Sequence, residues 1–300
     1  MKREIFEQDI SKVRSLVSKV LGQNGKLELE RLGGLTNHTY KVQTEDGRLY
    51  VVRIPGDGTE ELIDRSDEKI STCLACSLGI DAQMLYFGED GSKVTQYIPN
   101  AITMSPQAMK QPEHIRQAAE IFRTLHSCGK NTDVPFEVFE MAAGYEKIIR
   151  QNQVYLFDDY EEIKKQVMEV KKEIDSTCDT TRVPCHNDPL CENWVVGDGK
   201  MYLIDWEYAG MNDGMWDLAD VSIEAGYGKL EDELLLRAYL GRDQLNDSCW
   251  KQFTANKIYV DYLWTLWAKT RVPYDREAME EWASERYARL KENLKAYTAV

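Results

Sequence analysis

A chain of 300 residues, 43% hydrophobic and 29% charged, can build two packed lobes with a core in each. Its formal charge of −14 repels nucleic acid and anionic lipid and draws in cations, so neither a nucleic-acid nor a membrane partner is expected. No apolar run reaches the roughly 18 residues of a membrane span. The opening MKREIFEQDISKVRSLVSKV has no signal-type hydrophobic block, and a cytoplasmic location is expected.

Residues 3–21 set Ile5, Ile10, Val13, Leu16, Val17, Val20 and Leu21 at helical spacing. LELERL, HTYKVQT and LYVVRIP then read as strands, the last two joined by the turn EDGR. A helix near 60–78 and a hairpin over MLYFGEDGSKVTQYI complete a small sheet-rich lobe. The CLAC of that helix (Cys73, Cys76) is a lone pair without zinc-site partners, and seven cysteines without framework spacing read as reduced thiols. QYIPN, Gln96 to Asn100, breaks the pattern with a proline and is the candidate linker. The division expected is an N-terminal nucleotide-binding lobe over 1–97 and a C-terminal catalytic lobe over 98–300.

Beyond the linker the pattern turns helical: 112–127, the segment DDYEEIKKQVMEVKKEID, then about 214–225, 230–240, 247–271 and 276–297. In DDYEEIKKQVMEVKKEID, Ile163, Val167, Val170 and Ile174 make a core stripe and the charges a solvated face. The fold class expected is α+β, with a small antiparallel-sheet lobe followed by a larger helical one.

One hairpin interrupts the helices. In PCHNDPLCENWVVGDGKMYLIDWEYAG, residues 184–210, GDGK is a strong turn signal between WVV and MYLI. Asn193 opens the first strand and Asp205 closes the second, so the two are expected to face each other within ~6 Å at the backbone. An amide oxygen and a carboxylate so placed suit a hard cation such as Mg²⁺. Asp188 lies in the loop entering this point, and His186 could brace that loop. The order H-x-D-x₄-N, a strand pair, then D-x-E matches the phosphoryl-transfer arrangement of protein kinases. On that reading Asp188 accepts the proton of an acceptor hydroxyl, and Asn193 with Asp205 hold cations on the γ-phosphoryl oxygens of ATP. Taken singly, Asp188 also reads as a turn cap and Asn193 as a strand end.

RLGGLTNHTYKV offers the nucleotide half, with Gly33 and Gly34 where backbone can approach phosphates and Asn37 just after them. It lacks G-x-G-x-x-G, and a Gly-Gly pair also reads as a plain turn. Arg53 shares a strand face with Leu49 and Val51 and needs an anionic partner, for which Glu68 is the candidate; an exposed strand arginine is the competing reading. Gln96, Tyr97 and Ile98 would meet adenine through backbone groups.

With GGLTNHTYKV, YVVRIPG, VTQYIPNA, IFRTLHS, CHNDPLCENW, LIDWEYAGMNDGMWDLAD and DYLWTLWAK together, the chain resembles the choline/ethanolamine kinase family, in particular its bacterial LicA-like members, and more distantly the aminoglycoside phosphotransferases. The resemblance implies a protein-kinase-like bilobal fold, ATP and Mg²⁺, and choline as acceptor. It implies Asp188 as catalytic base, Asn193 and Asp205 as metal ligands, and Glu207 as a carboxylate near the metal and substrate. It puts Arg53 where protein kinases hold lysine, and Tyr208, Glu224, Trp264 and Trp267 around the choline headgroup, with Tyr227 a weaker candidate one turn past Glu224. A quaternary ammonium has no N–H to donate, so aromatic faces and a nearby negative charge must hold it. Trp264 and Trp267, three apart on a helix, project from one face, although such stripes are also common in cores. Two positions depart from the family: Leu190 stands where eukaryotic members often carry a polar residue, and Trp206 replaces the usual Phe. Ethanolamine, an aminoglycoside or a small sugar as acceptor, and a catalytically inactive choline-binding protein, stay open as alternatives.

Overall fold

The structure, a computed structural model, describes residues 7–33, 37–56 and 64–298. In chain order it begins with α1 (Glu7–Leu21), β1 (Glu28–Gly33), β2 (Asn37–Gln43), β3 (Leu49–Pro55), α2 (Arg65–Ser77), β4 (Met84–Phe87), β5 (Lys93–Gln96) and β6 (Ile102–Thr103). It continues with α3 (Pro106–Met109), α4 (Pro112–His126), α5 (Val138–Gln151), α6 (Tyr160–Thr177), β7 (Arg182–Cys185), a 3₁₀ turn (Cys191–Asn193), β8 (Trp194–Gly197) and β9 (Lys200–Leu203). Last come β10 (Gly210–Asp213), α7 (Met215–Ala225), α8 (Lys229–Leu240), α9 (Asp247–Arg271) and α10 (Arg276–Tyr297). The chain divides into two compact units, Met1–Met104 with Glu192–Ala209, and Ser105–Cys191 with Gly210–Val300.

The first unit is built on an antiparallel sheet of order β1-β2-β3-β5-β4. Val13 and Val17, one turn apart on α1, pack with Tyr40, Val42, Val52 and Val94 of the sheet in one buried cluster. The expected EDGR turn forms, with Gly47 at φ 80° and its N–H on the Thr44 carbonyl. Asp64 caps α2 by accepting the N–H groups of Ser66 and Asp67, which sets Glu68 in the first turn.

The hairpin of β8 and β9 belongs to this unit rather than to the helical one. Its two-residue loop, Asp198-Gly199, has φ values of 51° and 77°, the left-handed pair that a tight hairpin of this hand needs. β6 pairs with β8, and the Leu203 N–H donates to the Ile80 carbonyl at 3.1 Å. These bonds carry the first unit past the expected boundary near residue 98 and bring 192–209 back to it.

The second unit is mostly helical. α9 is buried on nearly every side and packs against α5, α6, α7 and α10. The predicted stripe of α6, Ile163, Val167, Val170 and Ile174, is buried throughout. α5, which the sequence pattern did not announce, carries Gly144 at its middle and is held by burial of Val138, Ala142 and Ile149. β7 and β10 form a two-stranded antiparallel ladder in which Gly210 faces Cys185. Among the described residues no helix is long and apolar enough to cross a membrane.

One acid of the first unit sits at odds with its surroundings. Asp81 is buried, and its Oδ1 accepts the Ala82 N–H at 2.6 Å while Oδ2 has no hydrogen-bond partner among the described residues. Burial pushes this carboxyl up to about 6, with the charge of Lys93 pulling the other way. The unfolded chain ionises near the ordinary value, so between about pH 4 and 6 the folded state binds the extra proton and stability falls as pH rises. Replacing Asp81 by Asn removes that loss: urea melts should show the variant more stable than wild type at pH 7 by up to about 3 kcal/mol, with the gap closing near pH 4.

Candidate functional site

In the first unit a buried ion-pair network gathers at the C-terminal end of β3. Arg53 is only 5% exposed, so the reading of an exposed strand arginine does not hold. Its Nη1 lies 2.5 Å from Glu68 Oε1 and donates to Asp205 Oδ1 at 3.5 Å, while Nη2 donates to the Gly91 carbonyl at 2.9 Å. Arg65 Nη1 donates to Glu68 Oε2 at 2.7 Å and lies 3.5 Å from Glu207 Oε2. Glu68 therefore sits between two guanidiniums; burial, the largest influence, would raise its pKa, but Arg53, Lys93 and Arg65 together hold it below the ordinary value. A buried carboxylate of this kind needs such cover, since an unpaired charge would be expelled from the interior. Gly91, at φ 82°, is required twice over, because a Cβ there would meet the Arg65 side chain at 2.5 Å.

The Asn37 amide joins the same network, donating to Glu207 Oε2 at 3.0 Å and accepting from Arg65 Nη2 at 3.3 Å. Burial, then the neighbouring Asp205, pushes the Glu207 carboxyl up to about 7. Arg53, Glu68, Asn37, Asp205 and Glu207 are thus brought together, as the sequence suggested for the first two. Gly34 lies outside the described residues, and Gly33 ends β1. In the linker, the Gln96 and Tyr97 N–H groups already bond the carbonyls of Gln83 (2.9 Å) and Leu49 (3.3 Å), and Ile98 is half-buried.

The hairpin register differs from the expectation. Trp194 pairs with Leu203, and the Ile204 N–H donates to the Asn193 carbonyl at 2.9 Å, so Ile204 rather than Asp205 lies across from Asn193. The 3₁₀ turn at Asn193 and the left-handed backbone of Asp205, φ 69°, end the ladder one residue early. Asp205 is then turned toward Arg53. Trp206 does not enter the polar network: it is buried, and its Nε1 donates to the Leu203 carbonyl at 3.1 Å.

In the second unit the loop carrying Asp188 is held by its backbone. Both oxygens of the fully buried Asp217 accept loop N–H groups, Oδ2 from His186 and Oδ1 from Asn187, each at 2.8 Å. His126 bridges Asp217 (3.0 Å) and the Tyr239 hydroxyl (2.9 Å). Trp216 Nε1 donates to the Asn187 carbonyl at 3.0 Å, and Asn212 donates to the Asn187 side-chain oxygen at 3.0 Å. Asn187 takes a left-handed φ of 66°, which turns the chain so that the Asp188 N–H reaches His186 Nδ1 at 3.2 Å. The bracing role expected of His186 is present, but the loop's main anchor, Asp217, was not singled out from the sequence.

The aromatic candidates lie in the same unit. Trp264 and Trp267 meet edge to face at 6.2 Å between centroids, and Trp267 meets Trp282 of α10 in the same way at 5.8 Å. The Arg286 guanidinium stacks over Trp282 at 3.9 Å and pairs with Glu224. Glu224 is therefore already charge-paired, and Trp282 and Arg286 extend the predicted cluster. Tyr227 is tied down by its hydroxyl, which donates to the Met109 carbonyl at 2.8 Å, so it offers only a ring face. Tyr208 is half-buried in the first unit, four residues past Ile204.

Residues 30–234 match the family described as choline/ethanolamine kinase. The chain is 32% identical to a choline/ethanolamine kinase family protein from Mesorhizobium loti, with a TM-score of 0.83 over 96% of each chain. It is 31% identical to the choline kinase LicA from Streptococcus pneumoniae, with a TM-score of 0.81 over 97% of this chain and 100% of the other. A probable ethanolamine kinase of Arabidopsis thaliana is 29% identical, covering 79% of this chain and 70% of its own.

The Glu68 bridge yields a stability test. Glu68→Ala leaves two arginines facing each other without their shared carboxylate, and denaturant unfolding should show a loss of about 3–5 kcal/mol. Glu68→Gln, which keeps one hydrogen-bonding oxygen, should lose less.

Proposed function

The chain belongs to the choline/ethanolamine kinase family, and on that premise we propose that it transfers the γ-phosphoryl group of ATP to the hydroxyl of choline, giving phosphocholine and ADP. The observation that carries the choice of acceptor is the run of three indoles in which Trp267 meets both Trp264 and Trp282 edge to face. Trimethylammonium cannot donate a hydrogen bond and is bound by such faces, each worth ~2 kcal/mol once water is excluded.

The roles follow from the chemistry of each group. Asp188, on a loop fixed by Asp217, orients the choline hydroxyl and takes its proton as the phosphorus–oxygen bond forms. The donor set of Asn193 and Asp205 fits Mg²⁺, because both side chains carry hard oxygens and, among the described residues, the Asp205 carboxylate accepts one long 3.5 Å hydrogen bond, from Arg53. Bound there, the ion would neutralise charge on the β- and γ-phosphate oxygens. Arg53, fixed by Glu68 and Gly91, supplies a positive charge that needs no reorganisation when a triphosphate arrives. Gly33, Gly34 and Asn37 would line the phosphates, and the backbone of Gln96, Tyr97 and Ile98 the adenine. Glu207 and Tyr208 would lie toward the acceptor, with Glu224 and Tyr227 at its headgroup.

Ethanolamine is the second reading, favoured by the buried Asp220 of α7, whose two carboxyl oxygens have no hydrogen-bond partner among the described residues, since a primary ammonium has three N–H donors to satisfy. ADP release across choline, the mono- and dimethylated ethanolamines, ethanolamine and an aminoglycoside panel separates these acceptors. A rate that rises with methylation is expected, and the highest rate with ethanolamine would overturn the choline reading. Asp188→Ala should lower turnover by ~10²–10⁴ with the chain still folded, and wild-type turnover would remove the mechanism. Trp267→Leu, at a half-buried position, should raise the choline KM about tenfold or more with kcat nearly unchanged, because the headgroup is held alike in ground and transition states.

A further inference from the structure

The acceptor headgroup needs a negative charge beside its aromatic wall, and Glu224 is a poor source of it. Arg286 pairs with Glu224 and also lies 3.5 Å from Asp261, whose oxygens take two further bonds from Arg289, at 2.6 and 2.9 Å. Two guanidiniums thus face two carboxylates, and Glu224 already has its cation.

One turn before Glu224 on α7 stands Asp220. It is 1% exposed, and neither carboxylate oxygen has a hydrogen-bond partner among the described residues. Two unsatisfied oxygens on one buried acid are costly, and in a folded protein they call for a proton or an absent partner. The charged groups acting on it are Glu224 and Asp217 on its own helix, Asp188 in the loop, and Arg286 and Arg289 on α10. Asp261 of α9 faces the same arginines, and Asp232 of α8 is occupied by Ser222 and Lys257. The neighbours that Asp220 feels thus include the proposed base and a guanidinium stacked on the indole cluster.

We propose that Asp220, rather than Glu224, is the counter-ion of the acceptor's ammonium group, a neutral acid in the unliganded protein that releases its proton to solvent when the organic cation binds. This rests on the amino-alcohol reading above. Burial, then the nearby Glu224 and Asp188, raises this carboxyl well above the ordinary aspartate range, which keeps the proton in place until a cation arrives. The arrangement avoids burying a bare charge in the unliganded state and creates one only against its partner. It also makes acceptor affinity depend on pH through a residue that takes no part in phosphoryl transfer.

The test is calorimetric titration of the full-length protein with choline at pH 7 in two buffers of different ionisation enthalpy. Wild type should release a substantial fraction of one proton per choline bound. Asp220→Asn should release none from this group, bind choline about tenfold more weakly, and melt at or above the wild-type temperature, because a neutral isostere replaces a neutral acid. Wild-type affinity with unchanged proton release in Asp220→Asn would overturn the assignment. Should that variant fail to fold, wild-type choline affinity between pH 6 and 8 decides instead: a fall approaching tenfold per unit on acidification supports the proposal, and a flat profile removes it. If wild type binds neither choline nor ethanolamine, the amino-alcohol reading itself fails, a result distinct from a choline-binding protein indifferent to residue 220.

Discussion

The carboxylate of Asp217 is the constraint on which the loop carrying Asp188 depends. A loop is ordinarily the least certain part of a fold, because its backbone groups satisfy themselves with water. Here two successive N–H groups, of His186 and Asn187, are taken by the two oxygens of one buried acid on α7. The cost of burying that acid is offset because each oxygen finds a donor and His126 adds a third. The neighbouring carboxylate Asp188 inherits its position from this clamp. On the proposed reading Asp188 meets a hydroxyl within a few tenths of an ångström, a placement that its own rotamer preferences alone could not give.

The same logic is repeated with opposite sign in the first unit. Arg53 is fixed by a carboxylate and a carbonyl, and that carboxylate, Glu68, is fixed by a second arginine. Neither charge could be buried alone, and together they form a rigid cationic point in a sheet-rich unit. The two units reach positioned charge by different routes, one through backbone donors to a helix acid and the other through a chain of side-chain ion pairs.

Much of this was legible in the sequence, and the gaps have physical causes. Periodicity located the sheet strands and the long helices, because burial there follows one face, as with Ile163, Val167, Val170 and Ile174. α5 was not announced because Gly144 stands at its middle and a charged residue, Glu146, shares its buried face with Val138, Ala142 and Ile149. The pairing of Asn193 with Asp205 was misjudged by one residue, since counting along an ideal hairpin cannot foresee a 3₁₀ turn at one end and a left-handed residue at the other. Asp217 and Asp220 were visible in WDLAD, but period alone does not tell a satisfied buried acid from an unsatisfied one. Trp282 and Arg286 lie in a helix rich in charged residues, and only its packing against α9 brings Trp282 to Trp267.

The left-handed backbone at Asn187 and Asp205 carries a consequence for how this chain can vary. Each stands in or beside a proposed reactive group, and each has a conformation that asparagine, aspartate and glycine tolerate and β-branched residues resist. The repertoire open to substitution at these two points is therefore narrowed by geometry before any chemistry is considered. A random library selected only for solubility would already be depleted of valine, isoleucine and threonine there, so their scarcity would register turn shape as much as catalysis.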